Sequence, residues 1–324
     1  EIFTDFFDFQ CLKSKKICEN LVESVQSVMK SIFCHVLRNY IIQKKSIPFN
    51  PKKIPFNPNS KILLFMPALS IIIAVYKNIP ALDLIFRSLA RQRFQDFEAI
   101  VAEDNNALDM AVFVKNASHK FFFPIKHVAQ PDIGFRKNKA LNQAIRIADS
   151  DYLVFMDGDC ILHPHFLLQH YQHRTTGFAL FGRRVMLSKT LTDKLYETND
   201  LKLLSIFNFI INRCKRIDCA FYLPFKKPVI QTETGIWGCN WSIHKSALVA
   251  INGYDEDYVK AGIGEDTDLE WRLFATGIQL KRIKHLAIQY HLYHVENYAS
   301  TLENQQLLAA KKADGKVICV HGLF

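Results

Sequence analysis

The strongest constraint on the fold is an alternation of short apolar runs with amphipathic stretches that begins at residue 70. The apolar runs are rich in β-branched residues, whereas the stretches between them repeat apolar positions with helical spacing. Strands are predicted over 70–75, 97–102, 125–128 and 152–156, and helices over 80–93 and 136–148. Strands joined by helices in this order form βαβ units with right-handed crossovers. The sequence therefore predicts an α/β, Rossmann-like domain whose mostly parallel central sheet is flanked by helices.

Polar or acidic residues follow three of these strands, at the edge where parallel sheets bind ligands. The segments are Ala74-Val75-Tyr76, Glu103-Asp104 and Asp157-Gly158-Asp159. Neither GxGxxG nor a P-loop motif occurs, which argues against a dinucleotide dehydrogenase and a P-loop NTPase. Residues 74–80 also lack the glycine-rich, lysine-bearing loop expected of a nucleotidyltransferase.

The segment Asp157-Gly158-Asp159 presents two carboxylates one residue apart at a strand end. Both can project toward one hard cation such as Mn²⁺ or Mg²⁺, which shares oxygen ligands with substrate phosphates. Gly158 is expected to leave room for a diphosphate beside the backbone. The same spacing occurs in solvated turns, but the position directly after an apolar strand favours a binding function.

A second acidic cluster, Glu265-Asp266-Thr267-Asp268, opens a predicted helix after the glycine-bearing loop 260–264. Carboxylates in the first turn of a helix can have the structural role of stabilising it through the helix dipole. For Asp268, both this structural role and a functional role stay open. Glu265 and Asp266 directly follow a loop of the kind that brings backbone close to a ligand. This position favours a functional role for both.

Two groups of histidines have spacings that suggest metal binding. His291 and His294 end a predicted strand, and residues at odd separation in a strand point to opposite faces. Only one of them therefore need face a metal ion, and this pattern leaves open whether that is His291 or His294. The second group is better explained by a helix that starts near Pro164, so we expect no metal there; it comprises His163, His165, His170 and His173.

Several segments, taken in order, resemble a family-2 inverting glycosyltransferase of the GT-A fold. They are 70–76, Glu103-Asp104-Asn105, Gly134-Phe135-Arg136-Lys137-Asn138 and Phe155-Met156-Asp157-Gly158-Asp159-Cys160. Three later segments are similar to the galactosyltransferase-type C-terminal segment of bacterial members: Gly238-Cys239-Asn240-Trp241-Ser242, Asn252-Gly253-Tyr254-Asp255-Glu256 and Gly264-Glu265-Asp266-Thr267-Asp268-Leu269. The resemblance covers residues 68–324, and the ordered combination is more specific than any single segment.

The resemblance implies a donor site at the first strand ends. Its members would bind the nucleoside, ribose or diphosphate of a nucleotide-sugar, with UDP as the expected nucleotide: Ala74, Val75, Tyr76, Asp104, Arg136 and Asp157. Arginine suits a diphosphate because its planar fork donates two charge-assisted hydrogen bonds.

The resemblance also implies a metal site and a general base. Asp159 would be the principal ligand of Mn²⁺ or Mg²⁺, with Asp157 in support and His291 as the third ligand. Asp266 would remove the proton of the acceptor hydroxyl, opposite the leaving nucleoside diphosphate, and Glu265 would bind the acceptor sugar. One departure concerns Ile263, where family members often have a tryptophan that stacks on the acceptor. The stacking is then either absent or supplied elsewhere, with Trp237 and Trp241 as the candidates.

The function implied is transfer of a sugar, with inversion, to a glycan or glycolipid of cell-surface polysaccharide or lipopolysaccharide biosynthesis. The alternative is a non-catalytic nucleotide-sugar-binding or scaffold protein. Retention of both Asp157-Gly158-Asp159 and Glu265-Asp266 argues against that alternative.

The domain organisation predicted is an N-terminal helical extension with a Pro-rich linker over 1–60, followed by a GT-A domain over 61–324. The extension has helical spacing over 18–42, and a tandem repeat, Ile47-Pro48-Phe49-Asn50-Pro51 and Ile54-Pro55-Phe56-Asn57-Pro58, disfavours regular helix. Residues 61–160 would form the nucleotide-sugar-binding half and residues 161–324 the acceptor-binding and catalytic half.

Composition bears on location and partners. The 8 cysteines lack CxxC pairs and zinc-ligand spacing, which favours reduced thiols in a cytoplasmic protein. The N-terminus lacks the order of a secretory signal, and no apolar run is long enough to span a bilayer. The net charge of +10 suits phosphorylated substrates or an anionic membrane, and no nucleic-acid module is recognised. We expect a cytoplasmic protein that can contact the inner face of the cytoplasmic membrane peripherally.

Two further segments each allow two interpretations. Residues 203–211 are rich in Leu, Ile and Phe and precede Arg213, Lys215 and Arg216, so they suit either core packing or an interfacial helix on anionic lipid. Arg183 and Arg184 follow Gly182 and suit either a surface position or contact with phosphate or acceptor.

Overall fold

The structure is a computed structural model that describes residues 66–232, 235–262, 264–295 and 302–324. The chain divides into two units, Glu1–Leu63 and Leu64–Phe324, and the fold below is that of the second. The predicted helix over 18–42, the Pro-rich linker and Ile263 lie outside the described residues. No helix in the described ranges is long and apolar enough to cross a membrane.

Strands and helices alternate through the first half of this unit and become irregular in the second. The strands are β1 (Leu69–Val75), β2 (Phe97–Glu103), β3 (Ile125–Ala129), β4 (Tyr152–Asp157), β5 (Cys160–Leu162), β6 (Phe178–Phe181), β7 (Arg183–Met186), β8 (Val229–Gln231), β9 (Trp241–His244), β10 (Gln279–Arg282) and β11 (Ile288–His291). The helices are α1 (Ile79–Leu89), α2 (Leu108–Lys120), α3 (Lys137–Ile147), α4 (Phe166–His173), α5 (Lys189–Thr198), α6 (Ile206–Ile211), α7 (Lys245–Ala250), α8 (Glu265–Ala275) and α9 (Leu302–Asp314). Short 3₁₀ turns cover Leu201–Leu203 and Ile217–Ala220.

The central sheet has eight strands in the order β3-β2-β1-β4-β9-β6-β10-β8. The strands β1 to β4 are mutually parallel, β9 runs antiparallel to β4 and β6, and β10 runs parallel to β6. The register sets Val75 beside Glu103 and Ala74 beside Asp157. This confirms the predicted α/β class and brings the predicted strand ends to one edge.

Helices cover both faces of the sheet, and strand β1 is apolar on both of its faces. Ile71 and Ile73 pack in one core cluster with α1 and α2, whereas Ile72 packs in another with α3 and α8. Successive strand residues point to opposite faces, so a continuous apolar run is what a strand covered on both sides requires. The sheet edge is therefore held rigidly between two helical layers.

A small second sheet, in the order β5-β11-β7, lies next to the acidic strand end of β4. Its central strand β11 pairs antiparallel with β5, and His291 lies opposite Cys160. Because β5 begins one residue after Asp159, this pairing brings the end of β11 to the acidic segment. A backbone hydrogen bond of 2.8 Å from Leu292 N to Asp159 O fixes the approach.

Candidate active site

A cleft of about 1060 Å³ opens at the carboxyl ends of β1, β2 and β4. It is lined by Ala74, Val75, Tyr76, Asp104, Lys137, Asp157, Asp159, Arg184, Trp237, Gly238, Glu265, Asp266, His291 and His294, among others. The residues expected to bind the donor or the metal ion, or to act as the base, all line it except Arg136.

One corner of the cleft groups a carboxylate with two imidazoles. Asp159 Oδ2 lies 3.2 Å from His291 Nε2 and 3.1 Å from His294 Nε2, and the two nitrogens are 3.2 Å apart. Burial alone would raise the pKa of Asp159, but hydrogen bonds from both histidines hold it well below its usual range. The Asp159 carboxylate in turn raises the pKa of His294 to about 9.

These three atoms are placed so that they could hold a divalent cation. In the described ranges, they are the one group of three or more His, Cys, Asp or Glu side chains whose ligand atoms lie this close together. A triangle with edges of this size is one face of an octahedron whose ligands lie about 2.2 Å from its centre, within the range of about 2.0–2.6 Å for Mg²⁺ and Ca²⁺. The strand pattern required only one of the two histidines to face this corner, whereas both lie against Asp159. β11 ends at His291, so strand alternation does not extend to His294.

Asp157 forms ion pairs with two cations. Its Oδ1 lies 3.0 Å from Lys137 Nζ and its Oδ2 lies 3.4 Å from Arg184 Nη1. Burial would lower the pKa of Lys137, but Asp157, Glu265 and Asp266 raise it well above the usual value. Lys137 therefore carries a positive charge among three acidic residues, and Asp157 is a partner of that charge and is not part of the Asp159, His291 and His294 group.

The first turn of α8 presents carboxylate oxygens without partners. Asp266 Oδ2 accepts a hydrogen bond of 2.7 Å from Gly238 N, while Asp266 Oδ1 and Glu265 Oε2 are buried and have no hydrogen-bond partner in the described part of the chain. Burial is the main cause that raises the pKa of Glu265 to about 8, and it also raises that of Asp266. A buried carboxylate left unpaired costs stability, so both atoms mark a site kept open for a ligand.

The raised pKa of Glu265 predicts a pH dependence of stability. Its pKa rises from the usual 4.5 to about 8 on folding, so the folded chain holds the proton more tightly than the unfolded chain. Stability is therefore lost as the pH rises from about 4.5 to about 8, by at most about 1.4 kcal/mol per pH unit. Urea unfolding of Glu265→Gln should show a smaller loss over this window. The exposed Glu197→Gln variant should follow the wild type, and parallel curves for Glu265→Gln and wild type would contradict the assignment.

Other polar groups of α8 hold the structure around the site. Asp268 is fully buried and forms an ion pair of 2.7 Å with Arg272, which also donates to the carbonyls of Ile251 and Gly253. Glu270 accepts hydrogen bonds from Gly235 N and Ile236 N and so fixes the loop that carries Trp237. Asp268 therefore has a structural role.

Asp104 connects the strand ends to α3. Its carboxylate accepts hydrogen bonds of 2.7 Å from Arg136 N and 2.6 Å from Gln130 Nε2. Arg136 caps the helix through its backbone, and Lys137 is the residue of α3 whose side chain enters the cleft. The sequence analysis named Arg136 for the donor, whereas Lys137 is the residue that lines the cleft. A one-residue difference in helix phase decides which of the two side chains faces it.

Gly158 is required by packing against β1. A Cβ atom there would lie 2.7 Å from Ala74 O and 3.1 Å from Val75 Cα, and Gly158 N donates a 2.7 Å hydrogen bond to Ala74 O. The close approach of two strand ends, rather than room for a diphosphate, accounts for glycine at this position.

The two tryptophans considered for acceptor stacking differ in exposure. Trp241 is fully buried and stacks on Phe155 at 4.5 Å, so it has no free face. Trp237 is 40% exposed, lines the cleft and is flanked by the guanidinium groups of Arg183 and Arg216 at 4.4 and 4.9 Å. Trp237 is the one of the two that can meet a sugar.

The remaining histidines of the sequence proposal form no metal cluster in the described ranges. His170 is buried between Ser242 Oγ and Asn240 Oδ1, and burial lowers its pKa to about 3. His163 and His165 stack on Tyr222 instead. These contacts give His163, His165 and His170 packing and hydrogen-bonding roles.

Comparisons with known proteins bear on the family. A family model described as glycosyl transferase family 2 matches residues 70–231, half of the chain, and one described as N-terminal domain of galactosyltransferase matches residues 225–295. The chain is 25% identical over 242 residues to validoxylamine A glucosyltransferase of Streptomyces hygroscopicus subsp. jinggangensis, covering 66% of this chain and 53% of that protein. It is 26% identical over 179 residues to GalNAc(5)-diNAcBac-PP-undecaprenol beta-1,3-glucosyltransferase of Campylobacter jejuni, covering 52% of this chain and 54% of that protein.

The chain thus spans about half the length of these curated relatives. Among solved structures it is similar to S. aureus TarS, with a TM-score of 0.51 and 15% identity over 75% of this chain and 39% of that one. It is also similar to GalNAc-T7 solved with UDP, GalNAc and Mn2+, with a TM-score of 0.51 and 13% identity over 76% of this chain and 48% of that one. The fold is GT-A, as the sequence predicted.

Proposed function

The chain belongs to glycosyl transferase family 2, and we propose that it transfers a sugar, with inversion, from a UDP-sugar to a glycan or glycolipid acceptor. The observation that carries this proposal is the unpartnered Asp266 Oδ1 in the same cleft as the Asp159, His291 and His294 corner. A base and a cation site on one cleft are what transfer from a nucleoside diphosphate requires. A protein that only bound the donor would have no use for a buried carboxylate kept without a partner.

The donor and the cation would be held along the strand ends. Asp159, His291 and His294 would hold a divalent cation, and two imidazoles in the ligand set favour Mn²⁺ over Mg²⁺. When bound, the cation would neutralise the charge that develops on the leaving diphosphate. Lys137 adds a fixed positive charge beside Asp157, and Asp104 orders the backbone between β3 and α3 where the nucleoside would lie.

Asp266 would act on the acceptor. Its Oδ1 would take the proton of the acceptor hydroxyl as the oxygen forms a bond to the anomeric carbon and the bond from that carbon to the diphosphate breaks. Burial raises the pKa of Asp266, and the Lys137 charge and the Gly238 N–H oppose that rise. Glu265, with its raised pKa, would offer a proton to an acceptor oxygen, and Trp237 would stack on the acceptor ring.

The acceptor proposed is a cell-surface polysaccharide or a lipid-linked glycan such as a lipopolysaccharide precursor. The Campylobacter jejuni relative is named for a lipid-linked acceptor, GalNAc(5)-diNAcBac-PP-undecaprenol, which supports this class. Such an acceptor would suit a cytoplasmic protein in peripheral contact with the inner face of the cytoplasmic membrane.

Thermal unfolding with nucleoside diphosphates tests the donor assignment. UDP with Mn²⁺ should stabilise the protein by about 2.7 kcal/mol at a hundredfold excess over its Kd, which corresponds to a rise in Tm of about 5–10 °C. ADP, GDP and CDP should have smaller effects, and UDP without Mn²⁺ should have little. If no nucleotide raises Tm in either condition, or UDP acts equally with and without metal, the proposal fails.

A further inference from the structure

The helix α6 exposes apolar side chains on the outside of the protein. Phe207, Ile210 and Ile211 are 66%, 43% and 60% exposed, although each would gain from burial. Only Phe209 of this helix is buried, and its ring packs against Tyr290 of β11 at 5.4 Å. The helix is thus anchored by one residue while three large apolar side chains face outward.

Basic residues follow this apolar face directly. Arg213, Lys215 and Arg216 are all exposed, and the sequence has no acidic residue between Asp200 and Asp218. None of the three forms an ion pair within the described ranges. The next acidic residue along the chain, Asp218, pairs with Lys284 at 2.6 Å. We call these six residues the α6 surface: Phe207, Ile210, Ile211, Arg213, Lys215 and Arg216.

The α6 surface is fixed in place and adjoins the cleft. The backbone of Lys215 pairs with Met186 at the edge of the small sheet, with hydrogen bonds of 2.8 and 2.9 Å. Arg216 lies over the ring of Trp237, which lines the cleft. An object bound to the α6 surface would therefore lie beside the mouth of the cleft.

We propose that the α6 surface docks the protein on a bilayer that carries anionic lipids. Apolar side chains that enter the lipid boundary, bordered by cations that meet phosphate headgroups, are the pattern of an interfacial segment. The unbalanced positive charge favours this occupant over a second copy of a chain whose net charge is also positive. The docking itself does not depend on the proposed transferase function; only its purpose, delivery of a lipid-linked acceptor to the cleft, rests on it.

Co-sedimentation of the full chain with vesicles tests this proposal. We expect binding to phosphatidylcholine vesicles that contain phosphatidylglycerol and weak binding to phosphatidylcholine alone. Raising the salt from about 0.1 M to about 1 M shortens the screening length from about 10 Å to about 3 Å and should release the protein. Equal binding to both vesicle types, or none to either, would overturn the proposal.

Variants assign the contact to this surface. Arg213→Gln/Lys215→Gln should weaken binding to anionic vesicles about 20-fold, and Phe207→Ser/Ile211→Ser at least about tenfold. Leu108→Ser/Val112→Ser, at exposed apolar positions of α2, is the matched control and should bind as the wild type does. All three double variants change only exposed side chains, so their Tm should equal that of the wild type. If both α6 variants bound vesicles as the wild type does, the contact would lie elsewhere on the protein. If they changed only the oligomeric state measured by light scattering, the α6 surface would contact a second copy of the chain instead.

Transfer assays keep this inference apart from the proposed function. UDP-sugar hydrolysis in the absence of membranes should be unchanged in Phe207→Ser/Ile211→Ser, because these side chains lie outside the cleft. Absence of hydrolysis in the wild type with intact vesicle binding would count against the transferase proposal alone. Normal hydrolysis with no vesicle binding would count against the α6 surface alone.

Discussion

Replacement of Asp266 by asparagine is expected to lower the rate of sugar transfer by about 10²–10⁴-fold, the range that general base catalysis contributes. Asparagine keeps an oxygen that can accept the Gly238 N–H, so the first turn of α8 should stay in place. It cannot take the acceptor proton. The measurement is kcat for transfer, together with the Kd for UDP and Mn²⁺, which should change little because Asp266 is not among the residues proposed to hold the donor or the cation.

Asp109→Asn is the matched control for this variant. Asp109 is an exposed carboxylate in the first turn of α2, so its loss affects a helix dipole in the same way without touching the cleft. Transfer at a wild-type rate by Asp266→Asn would remove Asp266 from the mechanism. Asp268→Asn is unsuitable as a control because it breaks the buried ion pair with Arg272.

The second large effect concerns Asp159→Asn. This variant should lose the rise in Tm that Mn²⁺ gives the wild type, and transfer should fall by at least about 10²-fold. The reason is that Asp159 supplies the carboxylate between His291 and His294, and without it two imidazoles with no anion remain. Calorimetric titration with Mn²⁺ in the absence of nucleotide measures the loss independently of activity.

Asp151→Asn serves as the comparison because Asp151 precedes β4, at the end of that strand opposite the cleft. It should bind Mn²⁺ as the wild type does. A full Mn²⁺ response in Asp159→Asn would place the cation on other residues, and the Asp157 carboxylate would then be the first to test.

The sheet could be read from the sequence where local signals are strong. Strand β1 is a run of apolar β-branched residues buried on both faces, and α3 has a regular apolar stripe; both were predicted within a residue or two. Helix α2 was not predicted. It buries only Met110, Val114 and Ala117, so its apolar stripe is too thin to stand out. The small sheet has short strands far apart in sequence, and no local pattern reveals that they pair.

The site was predictable in its acidic residues and less so in its cations. Asp159 and Asp266 follow recognisable segments, and the fold brings both to one cleft. Lys137 was missed because helix phase decides whether residue 136 or 137 faces the cleft, and that phase depends on the hydrogen bond from Arg136 N to Asp104. Whether His291 or His294 faces the cleft stayed open because the end of β11 cannot be located to one residue from sequence alone.

The central position of β11 in the small sheet has a consequence for synthesis. A ribosome makes Asp159 before the histidine-bearing end of β11, and the segments that form β6 to β10 are made in between. A nascent chain that has folded its first strands thus holds the carboxylate without the imidazoles. If the cation site is as proposed, its three ligands come together only once the end of β11 has been made, so a chain that is still incomplete would lack it.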